Sequence, residues 1–204
     1  IPRNPFIQFH ISPNVKEREY LTEDELKAVM THEFADSKLA YIRDIFIFAS
    51  FTALSFVDIQ ELTNDNIVEV NGEKWILSKR HKTKVAFQVK LLDIPLQIVE
   101  RYRPMQKDNR IFPDLNYWSI CKPLKRMIRE CGITKSISFH CSRHGFATLA
   151  LSKGMPIESV SRVLGHTNIV TTQLYAKITT QKLDNDLTMF GDKLSKTFNG
   201  ITMS

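Results

Sequence analysis

The sequence of 204 residues has little cysteine and no long apolar run. The three cysteines, Cys121, Cys131 and Cys141, are an odd number without a CxxC pair, which argues against a disulfide framework and against a zinc ribbon. The longest nearly apolar stretch, residues 45–57, contains three hydroxyl residues and falls short of the ~20 residues that cross a bilayer. Since no secretion signal is visible either, we expect an intracellular protein of a reducing compartment, with no membrane span.

The rest of the composition is that of an ordinary globular protein, apart from its charge. Hydrophobic residues make up 43% and charged residues 25%, which argues against a disordered or fibrous chain. Lys and Arg number 28 against 22 Asp and Glu, which gives a net charge of +6 and a pI of about 9.2. A basic surplus favours an anionic partner, with nucleic acid the first choice.

The first half of the chain predicts helices. Thr22 followed by Glu25 is a capping box, which predicts a helix from there to about Thr31. Residues 39–62 are helix-like and strongly apolar, so we expect a central helix, or two helices with a break near residues 50–54.

A small sheet and further helices follow. An Asn71-Gly72 pair, typical of a two-residue hairpin, joins the first two strands of three, expected at residues 67–70, 74–77 and 85–89. Two further helices are then expected. One covers residues 96–102 and is preceded by Pro95, and the other covers residues 118–131. The fold class predicted is mainly α with a small antiparallel β-sheet.

Residues that typically begin or end helices predict three short helices in the last third of the chain. Gly154 and Gly165 can each end a helix, Pro156 suits a first helical position, and Thr167 can cap the next helix. Residues 181–204 carry apolar residues at roughly helical spacing, which predicts a helix that docks on another surface.

Four side chains in this last third have the chemistry of a phosphate site. His140 and Arg143 lie on one side of a helical turn, and a guanidinium matches two phosphate oxygens. His166 precedes a helix N-terminus, which favours an anion, and Tyr175 is expected about two turns along that helix. A tyrosine with a pKa near 10 needs cations and a base to act as a nucleophile, and these residues supply both.

The order of these motifs resembles the tyrosine recombinase (phage integrase) family, most closely the integrases of bacterial conjugative and mobilizable elements. The resemblance is carried by His-x-x-Arg-His-x-Phe-Ala-Thr at residues 140–148 and by Leu-Gly-His at 164–166, with Tyr175 nine residues beyond the histidine. Residues 51–62 look like the first conserved box of the family, and Lys82-Thr83 looks like its catalytic lysine hairpin.

The resemblance implies site-specific DNA recombination without a metal ion or another cofactor. Tyr175 would attack the scissile phosphate to give a 3′-phosphotyrosyl link and a free 5′-hydroxyl, and a hydroxyl from the partner strand would reverse the step. Arg143 would neutralise the transition state, and His166 would donate a hydrogen bond to the phosphate. His140 would help to accept the tyrosine proton, and Lys82 would protonate the leaving 5′-oxygen.

Other cations surround Lys82. Lys79, Arg80 and Lys84 are expected to contact the DNA backbone, although a run of this kind is also typical of a solvated surface. Lys84 is the second choice for the general acid.

One departure from the family pattern concerns a second phosphate-binding arginine. The first box normally reads Thr-Gly-Leu-Arg, but here Ser55 stands where that arginine is expected. Arg43 on the preceding helix is our first candidate for a replacement, provided that the helix breaks near Ser50.

The resemblance also predicts domains and partners. Residues 1–20 would be a linker remnant from a missing core-binding domain, residues 21–180 the catalytic domain, and residues 181–204 a tail that docks in trans. The partners would be double-stranded DNA attachment sites, other subunits in a synaptic tetramer on DNA, and accessory DNA-bending proteins; the isolated domain would be a monomer. The location would be the bacterial cytoplasm, at the nucleoid during the reaction.

Two alternatives remain open from the sequence. Ser55 and the basic charge also suit a catalytically impaired helical DNA-binding module. A metallohydrolase would use His140, His144 and His166, but Cys141 stands where an HExxH motif places its glutamate.

Overall fold

The computed structural model describes residues 19–106, 108–176, 180–197 and 199. The described helices are α1 (Glu23–Thr31), α2 (Ser37–Thr52), α3 (Phe56–Gln60), α4 (Asp93–Tyr102), α5 (Tyr117–Glu130), α6 (His140–Ser152), α7 (Ile157–Leu164), α8 (Val170–Gln173) and α9 (Thr180–Thr197). The strands are β1 (Ile67–Val70), β2 (Glu73–Lys79) and β3 (Ala86–Lys90), and short 3-10 turns cover Asn64–Asn66 and Arg103–Met105. The predicted fold class, mainly α with a small antiparallel sheet, is confirmed.

The start of α1 is the predicted capping box. The backbone N–H of Glu25 donates to the Thr22 hydroxyl at 3.3 Å, and the N–H of Thr22 donates to the Glu25 carboxylate at 2.7 Å. These two bonds satisfy N–H groups that the first helical turn leaves unpaired.

The predicted break of the long apolar helix falls at Ala53. This residue has a left-handed conformation with φ of 57° and ends α2, and Ser55 then caps α3. Helix α2 is buried on almost every side, with Phe46 and Phe48 at most 1% exposed, and it packs against α4, α5 and α6. A helix that is apolar all round is stable only inside a core, so α2 is the centre of the domain.

The three strands form one antiparallel sheet in the order β1, β2, β3. Asn71 and Gly72 join β1 to β2 with φ angles of 53° and 77°, both left-handed, as an Asn-Gly hairpin requires. A second hairpin joins β2 to β3, and at its base the N–H of Arg80 donates to the Val85 carbonyl at 2.8 Å.

Helices α6 to α8 follow in close succession, and the last of them differs from prediction. Gly165 ends α7 with φ of 62°, as expected. Helix α8, however, is a single turn, and the N–H of Val170 bonds to the side chain of Asn168 rather than of Thr167. Its run of β-branched residues is weakly helical, so Tyr175 lies in the turn after α8 and not two turns into a helix.

Helix α9 presents apolar side chains to solvent. Leu183, Leu187, Phe190 and Leu194 recur at helical spacing and are 39–60% exposed. Of the predicted tail, residues 198 and 200–204 lie outside the described residues, as do residues 1–18 of the predicted linker. Among the helices that the structure describes, none is both long and apolar enough to cross a bilayer.

Candidate active site

Two arginines meet at the C-terminal end of α7. Arg143 reaches there from α6, and it donates from Nη1 to the Ala53 carbonyl at 2.8 Å and from Nη2 to the Leu164 carbonyl. Arg80 reaches there from the β2–β3 hairpin and donates from Nη2 to the Val163 carbonyl. The last carbonyls of a helix lack partners within the helix and carry a partial negative charge, so they hold both guanidinium groups.

The carboxylate of Asp58 holds Arg80 from the other side. Arg80 Nη1 lies 2.8 Å from Asp58 Oδ2, and the backbone N–H of His81 donates to Asp58 Oδ1 at 3.0 Å. The hydroxyl of Ser55 donates to the same carboxylate at 2.7 Å. Ser55 therefore belongs to the hydrogen-bonded network that fixes an arginine from another element.

The Arg80 side chain is packed on both faces. Its guanidinium carbon lies 4.0 Å from the centroid of the Phe87 ring, a cation–π contact. A methyl group at Gly165 would approach Arg80 Nε to 2.8 Å, closer than real contacts allow. Within the described residues Arg80 Nε is buried and has no hydrogen-bond partner, so packing rather than hydrogen bonding holds this part of the side chain.

Burial and mutual repulsion shape the electrostatics of the two arginines. Burial, followed by the charge of Arg80, lowers the pKa of Arg143 to about 10, against opposing effects of Asp58 and Tyr175. Burial also lowers the pKa of Arg80, while Asp58 opposes that shift. At neutral pH both guanidinium groups carry a charge, so two close cations face only one carboxylate in this network, an arrangement that favours a further anion.

Asp58 is ionised in this network. Burial by itself would raise the pKa of Asp58, but the hydrogen bonds from the His81 N–H, Arg80 and Ser55 hold it below its ordinary value.

His166 lies beside both arginines and is neutral at pH 7. Burial, followed by the charges of Arg143 and Arg80 and by His140, lowers the pKa of His166 to about 4. Its Nδ1 is 2.9 Å from the hydroxyl of Thr172 in α8. The ring is therefore fixed in orientation and serves as a neutral hydrogen-bonding group.

Two ring contacts connect the histidines of α6 with Tyr175. The rings of His140 and His144 are 4.5 Å apart and nearly perpendicular, and the rings of His144 and Tyr175 are 5.1 Å apart. His144 is buried, whereas His140 is exposed and Tyr175 is half-buried. The predicted residues His140, Arg143, His166 and Tyr175 are thus brought together from three segments of the chain.

The predicted lysines occupy the hairpin next to this cluster. Lys82 lies exposed at the tip of the β2–β3 hairpin, and Lys79 and Lys84 are exposed on either side of it. Lys84 has φ of 55°, and its N–H donates to the Arg80 carbonyl at 2.8 Å. Asp58, by binding Arg80 and His81, holds the base of the hairpin that carries Lys82.

Two predictions from the sequence require correction. Arg43 does not approach Ser55, because it is bound to Asp44 at 2.8 Å and to the His32 carbonyl at 2.9 Å; as a replacement for the missing arginine it is wrong. Arg80, expected among the exposed cations of the hairpin, is instead only 5% exposed and points into the domain, so it is not a surface residue like Lys79 and Lys84.

The sequence does contain a signal for the burial of Arg80. Strand β2 alternates between its two faces, and Ile76 is buried on one of them. Arg80, four residues further on, continues on that same inward face.

A metal site needs several ligands in one place. Within the residues that the structure describes, no group of three or more His, Cys, Asp or Glu side chains is placed to hold a metal ion.

Comparison with solved structures defines the class of fold. The chain has a TM-score of 0.68 with a crystal structure of XerA recombinase, at 22% identity and covering 86% of this chain and 64% of that one. The TM-score is 0.73 with the integrase of the Tn1549 transposon in complex with transposon right end DNA, at 16% identity and covering 94% and 72% of the two chains. The fold is therefore that of a tyrosine recombinase catalytic domain.

Sequence comparison gives the family. The sequence model of the Phage integrase family matches residues 19–182, so the chain belongs to that family. The tyrosine recombinase XerA of Pyrococcus horikoshii is 32% identical over 177 residues, which are 80% of this chain. The tyrosine recombinase XerD of Listeria monocytogenes is 43% identical over 67 residues, covering 33% of this chain and 22% of that protein. The chain spans 58% of the length of the XerA relative.

Proposed function

We propose that this chain is the catalytic domain of a site-specific DNA recombinase, a tyrosine-dependent strand transferase. The observation that carries the proposal is that a buried arginine, Arg80, and a half-buried one, Arg143, lie close to the neutral His166 and to Tyr175. Two neighbouring cations with only one carboxylate in their network favour a further anion, such as a phosphodiester. A tyrosine beside such an anion is placed to act as a nucleophile.

The reaction is a reversible exchange of phosphoester bonds. The Tyr175 oxygen attacks phosphorus and its proton passes to His140; the bond to the 5′-oxygen breaks, and Lys82 protonates that oxygen. The products are a 3′-phosphotyrosyl link and a 5′-hydroxyl. A 5′-hydroxyl from the partner strand then attacks the link and releases the tyrosine, so no external energy source is consumed.

In this proposal Arg80 is the second phosphate-binding cation, in place of the arginine that Ser55 lacks. Two observations support it: Arg80 shares the end of α7 with Arg143, and its charge helps to lower the pKa of His166. Charged donors fixed in a buried site stabilise a transition state at little reorganisation cost, and the loss of one typically costs about 3–4 kcal/mol.

A covalent trapping experiment tests the function. A pool of nicked duplexes with randomised sequence traps the cleaved intermediate, because the short strand beyond the cut diffuses away and cannot rejoin. We expect an SDS-resistant protein–DNA adduct with the wild type and none with Tyr175→Phe. If the wild type binds the pool and forms no adduct with any member, the chain is a DNA-binding module and not an enzyme.

The partners follow from the same proposal. Double-stranded attachment sites are the substrate, the site assembles in a synaptic tetramer, and accessory DNA-bending proteins shape the complex at the nucleoid. The exposed apolar row of α9 is then the surface that docks on a neighbouring subunit. Light scattering should give a monomer for the isolated chain, and a stable tetramer without DNA would contradict this part of the proposal.

A further inference from the structure

We propose that His144 is a positioning residue for the nucleophile, and that its ring holds Tyr175 in the orientation for attack. This inference rests on the proposed function. The observation behind it is that the buried imidazole of His144 contacts both His140 and Tyr175. His144 itself has no step in the proposed reaction.

The ring of His144 lies against the rings of both His140 and Tyr175. His140 and His144 are one turn apart on α6, and their rings meet edge to face. The ring of His144 inclines by 46° to that of Tyr175, at a centroid distance of 5.1 Å that corresponds to van der Waals contact. His144 is 6% exposed, so it has little freedom to move and can fix its neighbour.

Tyr175 needs such support because its own backbone gives little. The tyrosine lies in the turn after the four-residue helix α8, where its N–H bonds to the Thr172 carbonyl at 3.0 Å. A side chain on so short an element takes its orientation from what it packs against. A misplacement of about 1 Å in a reacting group can cost about 100-fold in rate, so a fixed ring beside the tyrosine has a direct kinetic effect.

If His144 positions Tyr175 through ring contact, a flat ring at position 144 should be sufficient for cleavage. His144→Phe retains a flat ring of similar size, whereas His144→Ala removes it. We expect cleavage in the trapping assay to fall about 10- to 100-fold for His144→Ala and to stay within about threefold of the wild type for His144→Phe. A loss in His144→Phe as large as that in His144→Ala would overturn the proposal, because the ring contact would then not be the cause.

A second assay separates positioning of the nucleophile from damage to the phosphate site. A DNA strand that ends in a 3′-p-nitrophenyl phosphodiester can be joined to a 5′-hydroxyl without Tyr175. The 5′-oxygen forms the new bond to phosphorus, p-nitrophenolate leaves, and the hydroxyl proton passes to Lys82, the group that protonates this oxygen in the cleavage direction. Tyr175→Phe should retain this joining reaction while it loses cleavage.

We expect His144→Ala to follow the pattern of Tyr175→Phe, with joining within about twofold of the wild type and cleavage reduced. Met127→Ala, a truncation of a fully buried residue on α5, controls for lower stability and should leave cleavage by the folded protein unchanged. Equal loss of joining and cleavage in His144→Ala, or no loss of either, would overturn the proposal. A wild type that forms no adduct would instead refute the proposed function itself.

Discussion

The guanidinium of Arg80 lies 2.8 Å from the carboxylate of Asp58, and both side chains are almost fully buried. This pair connects the β2–β3 hairpin to the corner between α2 and α3, where Ser55 also bonds to Asp58. In our proposal the hairpin supplies the phosphate-binding cation that the family pattern places at Ser55. In our proposal one hairpin thus carries both a phosphate-binding group and the general acid.

We expect cleavage to depend on Arg80 and not on Arg43. Arg80→Ala alone would leave Asp58 buried and unpaired, a cost of about 3–5 kcal/mol, so the informative variant is Arg80→Met combined with Asp58→Asn. This double variant should fold, as judged by circular dichroism, and lose about 100- to 1,000-fold in adduct formation. Arg43→Ala is the matched control and should cleave at the wild-type rate. Loss of cleavage in Arg43→Ala, together with wild-type cleavage in the double variant, would contradict the assignment of Arg80 as the second cation.

A methyl group at Gly165 should displace Arg80. The new carbon would lie 2.8 Å from Arg80 Nε and 2.9 Å from its Cγ, so Gly165→Ala should reduce cleavage by about 10-fold or more and lower stability. Gly154→Ala is the control: it has a similar positive φ, but nothing lies within 4 Å. It should lose only about 1 kcal/mol from backbone strain and should cleave normally. Equal cleavage by the two variants would show that contact with Arg80 is irrelevant.

Lys82 and Lys84 can be separated as general acids by the substrate. A 5′-bridging phosphorothioate has a leaving thiolate, which needs no proton, so this substrate should restore cleavage to a variant that lacks the acid. We expect Lys82→Ala to lose about 100-fold on ordinary DNA and to recover on the phosphorothioate, with Lys84→Ala near the wild type on both. Recovery of Lys84→Ala instead would move the role to Lys84.

His166 should make stability fall as the solution is acidified. Its pKa is about 4 in the folded protein and about 6.5 when unfolded, so between these values the unfolded chain binds a proton that the folded protein does not. The free energy of unfolding therefore falls from pH 7 to pH 5. Because the ring is partly exposed and solvent screens its neighbours, we expect a contribution of about 1 kcal/mol.

Urea unfolding at the two pH values checks this contribution against His166→Asn, which does not titrate. The decrease should be smaller in the variant, and an identical decrease in both proteins would contradict the cause. Asp58, whose pKa is also lowered, affects stability only at more acidic pH.

Features set by a few neighbouring residues could be predicted from the sequence. The Thr22 capping box, the Asn71-Gly72 hairpin and the end of α7 at Gly165 depend on local conformational preferences. The prediction that a helix of two turns leads to Tyr175 was wrong, because the β-branched residues at 169–172 are weakly helical and α8 ends at Gln173.

The source of the second cation could not be predicted in the same way. Arg43 precedes Ser55 on an apolar helix, which makes it a candidate from the sequence, but its side chain bonds to Asp44 and to the His32 carbonyl instead. The partner that holds Arg80, Asp58, is 22 residues away in sequence, and only tertiary structure brings them together. The motif residues His140, Arg143, His166 and Tyr175 were predicted because the family resemblance groups them.

Mapping the covalent bond to a residue tests the central claim most directly. Wild-type protein is trapped on nicked DNA, digested with trypsin and nuclease, and analysed by mass spectrometry. We predict a nucleotide attached through its 3′-phosphate to Tyr175, in the peptide of residues 163–177. Attachment to any other residue, or through a 5′-phosphate, would contradict the account.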